Sequence, residues 1–151
     1  MIFNLIKNKN SEKAQNENED LIKIIALLIH AAKIDENYSE KEKKLIISFA
    51  EMSSNKKLDR EQINSLVDKA EQYEKNSNQI LEFTQQVKKM DLNTKKTVLE
   101  FLWKIILSDN KSDVYESNLM RRICGLLFFP DKISGGIKLD IIRKNKNDVH
   151  S

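Results

Sequence analysis

The chain has 151 residues, enough for one domain with a real core, and carries 26 basic against 23 acidic residues for a net charge of +3. Three glycines, one proline and one cysteine exclude a hairpin-rich β fold, a Gly-rich phosphate loop and an internal disulfide. A mean hydropathy of −0.55 and an apolar run no longer than Ile24 to Ile29 exclude a membrane-spanning helix, which needs about 20 apolar residues.

"MIFNLIKN" is a short amphipathic start, and the polar stretch that follows lacks an apolar period. Residues 1–19 are therefore expected to be an amphipathic segment and a polar linker (9–19), outside a domain at 20–145. Leu21, Ile24, Ile25, Leu28, Ile29 and Ala32 recur at helical spacing and define a first helix ending near Lys33. Ser39 with Glu42 three residues on is a capping box that starts a second helix, with Leu45, Ile46, Phe49 and Met52 facing inward. Asp59 is the expected cap of a third helix, along Ile63, Leu66, Val67, Ala70 and Tyr73. Ser77 is expected to open a fourth, through Ile80, Phe83, Thr84 and Val87. Asn93 or Thr94 is expected to open a fifth, with Val98, Phe101, Leu102, Ile105 and Ile106 on one face. Asp113 with Glu116 forms another capping box before Leu119, Met120, Ile123 and Leu127. Pro130 blocks continuation, and a last helix is expected from Lys132 or Ser134 to Lys144, with a frayed tail at 146–151. The predicted fold is all-α, a single bundle of about seven helices.

Part of the chain repeats after 74 residues. The shift places Leu28 on Leu102, Asp35 on Asp109, Ser39 on Asp113, Glu42 on Glu116, Leu45 on Leu119 and Phe49 on Ile123. Core and hinge positions match together, which predicts two pseudo-symmetric helical hairpins whose acidic hinges meet at one end. On these residues, "LLIHAAKIDENYSEKEKKLI" and "LWKIILSDNKSDVYESNLMRRICGLL", the chain resembles the TerB-like proteins of the tellurite-resistance and DjlA N-terminal superfamily over residues 21 to 145. The resemblance implies a helical domain acting as an intracellular stress or sensing module. It also implies a divalent-cation site, Ca²⁺ or Mg²⁺, whose ligands here would be Asp35, Glu42, Asp109 and Glu116. Two departures stand out: Glu36 and Asn110 replace the family's hinge glycines, and His30 and Lys104 stand five residues before each hinge Asp, where relatives often carry Glu.

On physical grounds, hard cations take carboxylate oxygens, and four clustered carboxylates need compensation. The competing reading is that Ser39, Glu42, Asp113 and Glu116 only cap helices. An EF-hand is excluded, because Glu40 and Val114 stand where its loop needs Gly. Cys124, Trp103 and His30 lie on or beside apolar stripes and read as packed residues, and the lysines at 88, 89, 95 and 96 read as a solvated face without a nucleic-acid signature. The expectation is a non-enzymatic cytoplasmic module, without an export signal, that binds a protein partner and no nucleic acid. The alternative is a membrane-surface protein tethered through residues 1–8, where Ile2, Phe3, Leu5 and Ile6 make an apolar face.

Overall fold

The computed structural model describes residues 11–34, 38–54, 57–77, 80–108 and 114–150, with side-chain surroundings described from residue 19 onward except at 114–116 and 147–150. Among the described residues the chain forms seven helices and no strand: α1 (Ser11–Ala32), α2 (Glu40–Ser53), α3 (Arg60–Asn76), α4 (Ile80–Lys88), α5 (Leu92–Ile106), α6 (Val114–Leu126) and α7 (Asp131–His150). The apolar segment at 1–8 lies outside the described residues.

Most caps fall where side-chain chemistry places them. Ser39 Oγ accepts from Glu42 N–H at 3.2 Å while Glu42 Oε1 accepts from Ser39 N–H at 2.9 Å, which satisfies two amides at the start of α2. Asp59 and Gln62 form the same reciprocal pair at the start of α3, at 2.8 and 3.0 Å. The fifth helix starts earlier than expected, because Asp91 Oδ1 accepts from Thr94 N–H at 2.7 Å. The described part of the fourth begins at Ile80. Ser77 instead ends α3, and its hydroxyl donates to Glu82 Oε2 at 2.6 Å in the first turn of α4.

Two end segments also depart from expectation. The stretch read as a linker at 9–19 is helical from Ser11, and the tail read as frayed at 146–151 is helical to His150. The first is rich in Glu, Asn and Lys and the second is polar apart from Val149, and each continues a helix already nucleated by the core, so elongation adds one hydrogen bond per residue without a new nucleus.

The 74-residue repeat is kept by the helix boundaries. The first helix ends at Ala32 and α5 at Ile106, α2 starts at Glu40 and α6 at Val114, so both hinges span seven residues. The core centres on α1, which packs against α2, α3, α4 and α5. Leu21 and every residue from Ile24 to Ile29 are fully buried. Phe49 of α2 meets Phe101 of α5 edge-on at 5.2 Å, an arrangement that joins the two repeats through their aromatic core positions.

Candidate functional site

The hinge end is built from the C-terminal turns of α1 and α5 and the first turn of α2. Lys41, exposed on the first turn of α2, donates from Nζ to the Ser108 carbonyl at 2.8 Å. That carbonyl lies just past the last residue of α5, where unpaired C=O groups and the negative end of the helix dipole favour a cation. The bond spans 67 positions and sets the start of α2 beside the entry to the second hinge. The described flanks of the two hinges, the first turn of α2 and the end of α5, are therefore side by side, while Asp35 and Asp109 lie outside the described residues.

Glu42 is buried at 6 % exposure, and its Oε1 is committed to the α2 cap. Just ahead of the cap, Tyr38 donates its hydroxyl to Glu71 Oε1 at 3.1 Å, and Lys43 Nζ stands 3.3 Å from the same oxygen. Burial first, then the Glu71 carboxylate as charge and as hydrogen-bond acceptor, then Glu40 and Glu42, push the Tyr38 phenol far above its ordinary value. Three carboxylates thus place a negative field at this corner, met by the ammonium groups of Lys41 and Lys43.

A second cluster lies one turn before the first hinge. Glu74, 9 % exposed on α3, has its Oε2 3.3 Å from Lys33 Nζ, yet that oxygen accepts no hydrogen bond. His30 packs against Phe83 with ring centroids 5.5 Å apart. Burial lowers its pKa, and Arg122 and Lys33 push the same way, while Glu74 opposes them. The imidazole is accordingly neutral at pH 7.

Of the four expected cation ligands, the structure places the side chain of Glu42 alone. Asp35 and Asp109 lie outside the described residues, and Glu116 is described only as a backbone position in α6. Among the described residues no three His, Cys, Asp or Glu side chains converge to hold a metal. The capping box accounts for Glu42 and supplies no opening for a cation on Oε1. Lys104, expected to set a cation beside the second hinge, rests its Nζ 4.8 Å from the centroid of the Phe101 ring. Trp103 and Cys124 are core residues as expected: the Trp103 indole donates to Ser134 Oγ at 2.9 Å, and burial pushes the Cys124 thiol up, away from nucleophilic use.

The sequence pattern of the family described as "Tellurite resistance protein TerB" matches residues 21–139. The chain belongs to the TerB family. Comparison with curated proteins and with solved structures gave no match. The TerB match opens at Leu21, where the buried part of α1 begins, and closes inside α7, so the polar first turns of α1 lie outside it. No helix among the described residues of this TerB-family chain is long and apolar enough to cross a membrane.

Tyr38, Lys41, Glu71 and Glu74 are absent from the expected site, although two of them leave a trace in the sequence. Tyr38 directly precedes the Ser39 cap, the position that commonly packs on the fourth helical residue, here Lys43. Both meet Glu71, so a polar pair replaces the usual apolar staple. Glu74 follows Ile63, Val67 and Ala70 at helical spacing, which marks it as a charge on a buried stripe.

Proposed function

We propose that the chain is a non-enzymatic cytoplasmic module in a stress response, binding a partner protein at the hinge end. The reading is supported above all by the Lys41 bond to the Ser108 carbonyl, which sets the start of α2, after the first acidic hinge sequence, beside the end of α5, before the second. The family's description, a tellurite resistance protein, supports the stress role. A divalent cation, Ca²⁺ or Mg²⁺, is the accessory ligand of this reading. Asp35, Glu42, Asp109 and Glu116 would hold it, and it would supply charge neutralisation between the hinges. Lys41 already brings one positive charge there, and the Glu42 cap occupies one carboxylate oxygen, so binding is expected to be weak.

Affinity purification from the native cell tests the reading, with the Asp35→Asn/Asp109→Asn double variant as the comparison. The module reading expects a partner retained by the parent and lost by the variant while the helical circular dichroism of both is the same. Equal retention by both proteins refutes a hinge-end site. Substrate turnover abolished by His30→Gln would replace the module with an enzyme.

A further inference from the structure

At the far end of α6 from the hinges, several local rules of helix construction are broken together. Phe128 has φ = 54°, the left-handed region, and among the described residues it is the one non-glycine residue with positive φ. It occupies the position after α6 where helices commonly place Gly, closing the helix as Phe129 N–H donates to the Cys124 carbonyl at 2.9 Å and Phe128 N–H to the Gly125 carbonyl at 3.3 Å. A bulky aromatic is strained in that conformation. The strain gains no burial, because the Phe128 side chain is 72 % exposed, the most exposed of the large apolar residues described.

Glycine sits where the helix itself prefers a side chain, and phenylalanine sits where the helix prefers glycine. Gly125 lies in the last turn of α6, exposed, and a Cβ built on it meets nothing within 4 Å. Neither packing nor backbone geometry asks for glycine there, while Ala would favour the helix. Asn118, Arg121, Arg122 and Gly125 share the solvent face at the spacing i, i+3, i+4 and i+7, and residues 117–128 contain no acidic side chain. From α4, Lys88 Nζ stands 4.7 Å from the centroid of the Phe128 ring. The surface therefore presents a held-out aromatic ring, a notch without a side chain, and three cations. Local violations without a folding benefit mark sites kept for function.

We propose that the α6 face of Arg121, Arg122, Gly125 and Phe128, with Lys88, docks an acidic segment of a partner protein that carries an apolar side chain. The cations select acidic sequence, the ring is the preorganised anchor, and the bare backbone at Gly125 lets the partner approach the helix closely. A fluid membrane surface needs neither a notch nor a ring fixed by backbone geometry, so the arrangement favours protein over lipid. The observations that carry this surface, the Phe128 backbone and the bare Gly125, are separate from those of the hinge-end reading, although Arg122 also acts on His30.

The test pairs stability with binding on the full chain. Phe128→Gly relieves the strained backbone and Gly125→Ala adds helix propensity, so both variants are expected to melt at or above the parent temperature. The binding probe is a labelled synthetic 12-residue peptide of Glu with Leu at positions 3, 6, 7 and 10, compared with its Lys counterpart and with vesicles containing phosphatidylserine. The Glu peptide is expected to bind with a dissociation constant on the order of 10 to 100 µM and to weaken about tenfold in Phe128→Gly, Gly125→Ala or Arg121→Gln/Arg122→Gln. A lower melting temperature in both stability variants would make Phe128 and Gly125 structural and overturn the proposal. Equal binding of the Lys peptide, no binding of the Glu peptide, or vesicle binding that Phe128→Gly abolishes while the peptide fails, would also overturn it.

Discussion

Replacing Glu74 by Leu should leave the protein as stable as the parent or more so, whereas removing its partner Lys33 should destabilise it. The carboxylate belongs to the α3 stripe that buries Ile63, Leu66, Val67 and Ala70, and its side chain keeps only 10 % exposure. One of its oxygens accepts no hydrogen bond, so Lys33 at 3.3 Å is what offsets its desolvation there. Breaking a fully buried pair costs about 3–5 kcal/mol, but Lys33 is 37 % exposed and solvent screens the charge, which brings the expected cost of Lys33→Ala to about 1–2 kcal/mol. A chain of this size loses about 2–4 °C of melting temperature per kcal/mol, so Lys33→Ala should melt about 2–8 °C lower. Glu74→Leu removes the buried charge and adds an apolar group on an apolar stripe, with an expected gain of up to about 2 kcal/mol. In the Glu74→Leu background, Lys33→Ala should cost under about 0.5 kcal/mol, since nothing charged is left behind. Thermal melts of the four proteins, followed by circular dichroism at pH 7, complete the cycle. A Glu74→Leu protein melting below Lys33→Ala would refute the reasoning, because it would mean that the carboxylate is held by favourable bonds that outweigh its burial.

Ser134→Ala strips the buried Trp103 indole N–H of its acceptor and should cost about 1–3 kcal/mol by chemical denaturation; a loss under a few tenths would mean that another acceptor takes over. His30 has its pKa lowered on folding, so its contribution to stability is complete above the ordinary histidine value near 6.5 and declines as pH falls toward the lower folded value. His30→Gln should flatten stability against pH in that acid window, and an unchanged slope would clear His30 of the effect. Ser39→Ala should cost about 1 kcal/mol of stability through the lost α2 cap, with Ser39→Asp recovering most of it; a flat response would place the helix start elsewhere. Millimolar Ca²⁺ or Mg²⁺ should raise the melting temperature slightly, toward about 2.7 kcal/mol at a hundredfold excess over the dissociation constant, and Asp35→Asn/Asp109→Asn should abolish the rise. A micromolar site by calorimetry would contradict the weak binding expected from Lys41 and the Glu42 cap.

What could be read from sequence depended on how far each signal reaches along the chain. Apolar spacing within a helix and reciprocal caps three residues apart are local, so the α2 and α3 starts, the buried stripe of α1 and the core roles of Trp103 and Cys124 were legible. The repeat made the matched boundaries of α1 with α5 and α2 with α6 legible too, because equal spacing in two copies carries geometry that one copy lacks. Competition among neighbouring cap formers hid the start of α5: Asp91, Asn93 and Thr94 all qualify, and only the Asp91 bond to the Thr94 amide decides. Propensity without amphipathicity hid the ends of α1 and α7. The pairings of Lys41 with Ser108, Tyr38 with Glu71 and Lys33 with Glu74 join residues 67, 33 and 41 positions apart, distances over which a single sequence holds no pairing information.

The all-round burial of α1 has a consequence for biosynthesis. Its run from Ile24 to Ile29 is covered from several sides, and the covering reaches from α2 to α5, which ends at Ile106. At about 5–20 residues per second, the ribosome needs roughly 4–15 s to go from the end of that run to the end of α5. For those seconds the most water-averse segment of the domain has no complete docking place, so nascent chains should engage holdase chaperones through α1 and release them once α5 has emerged.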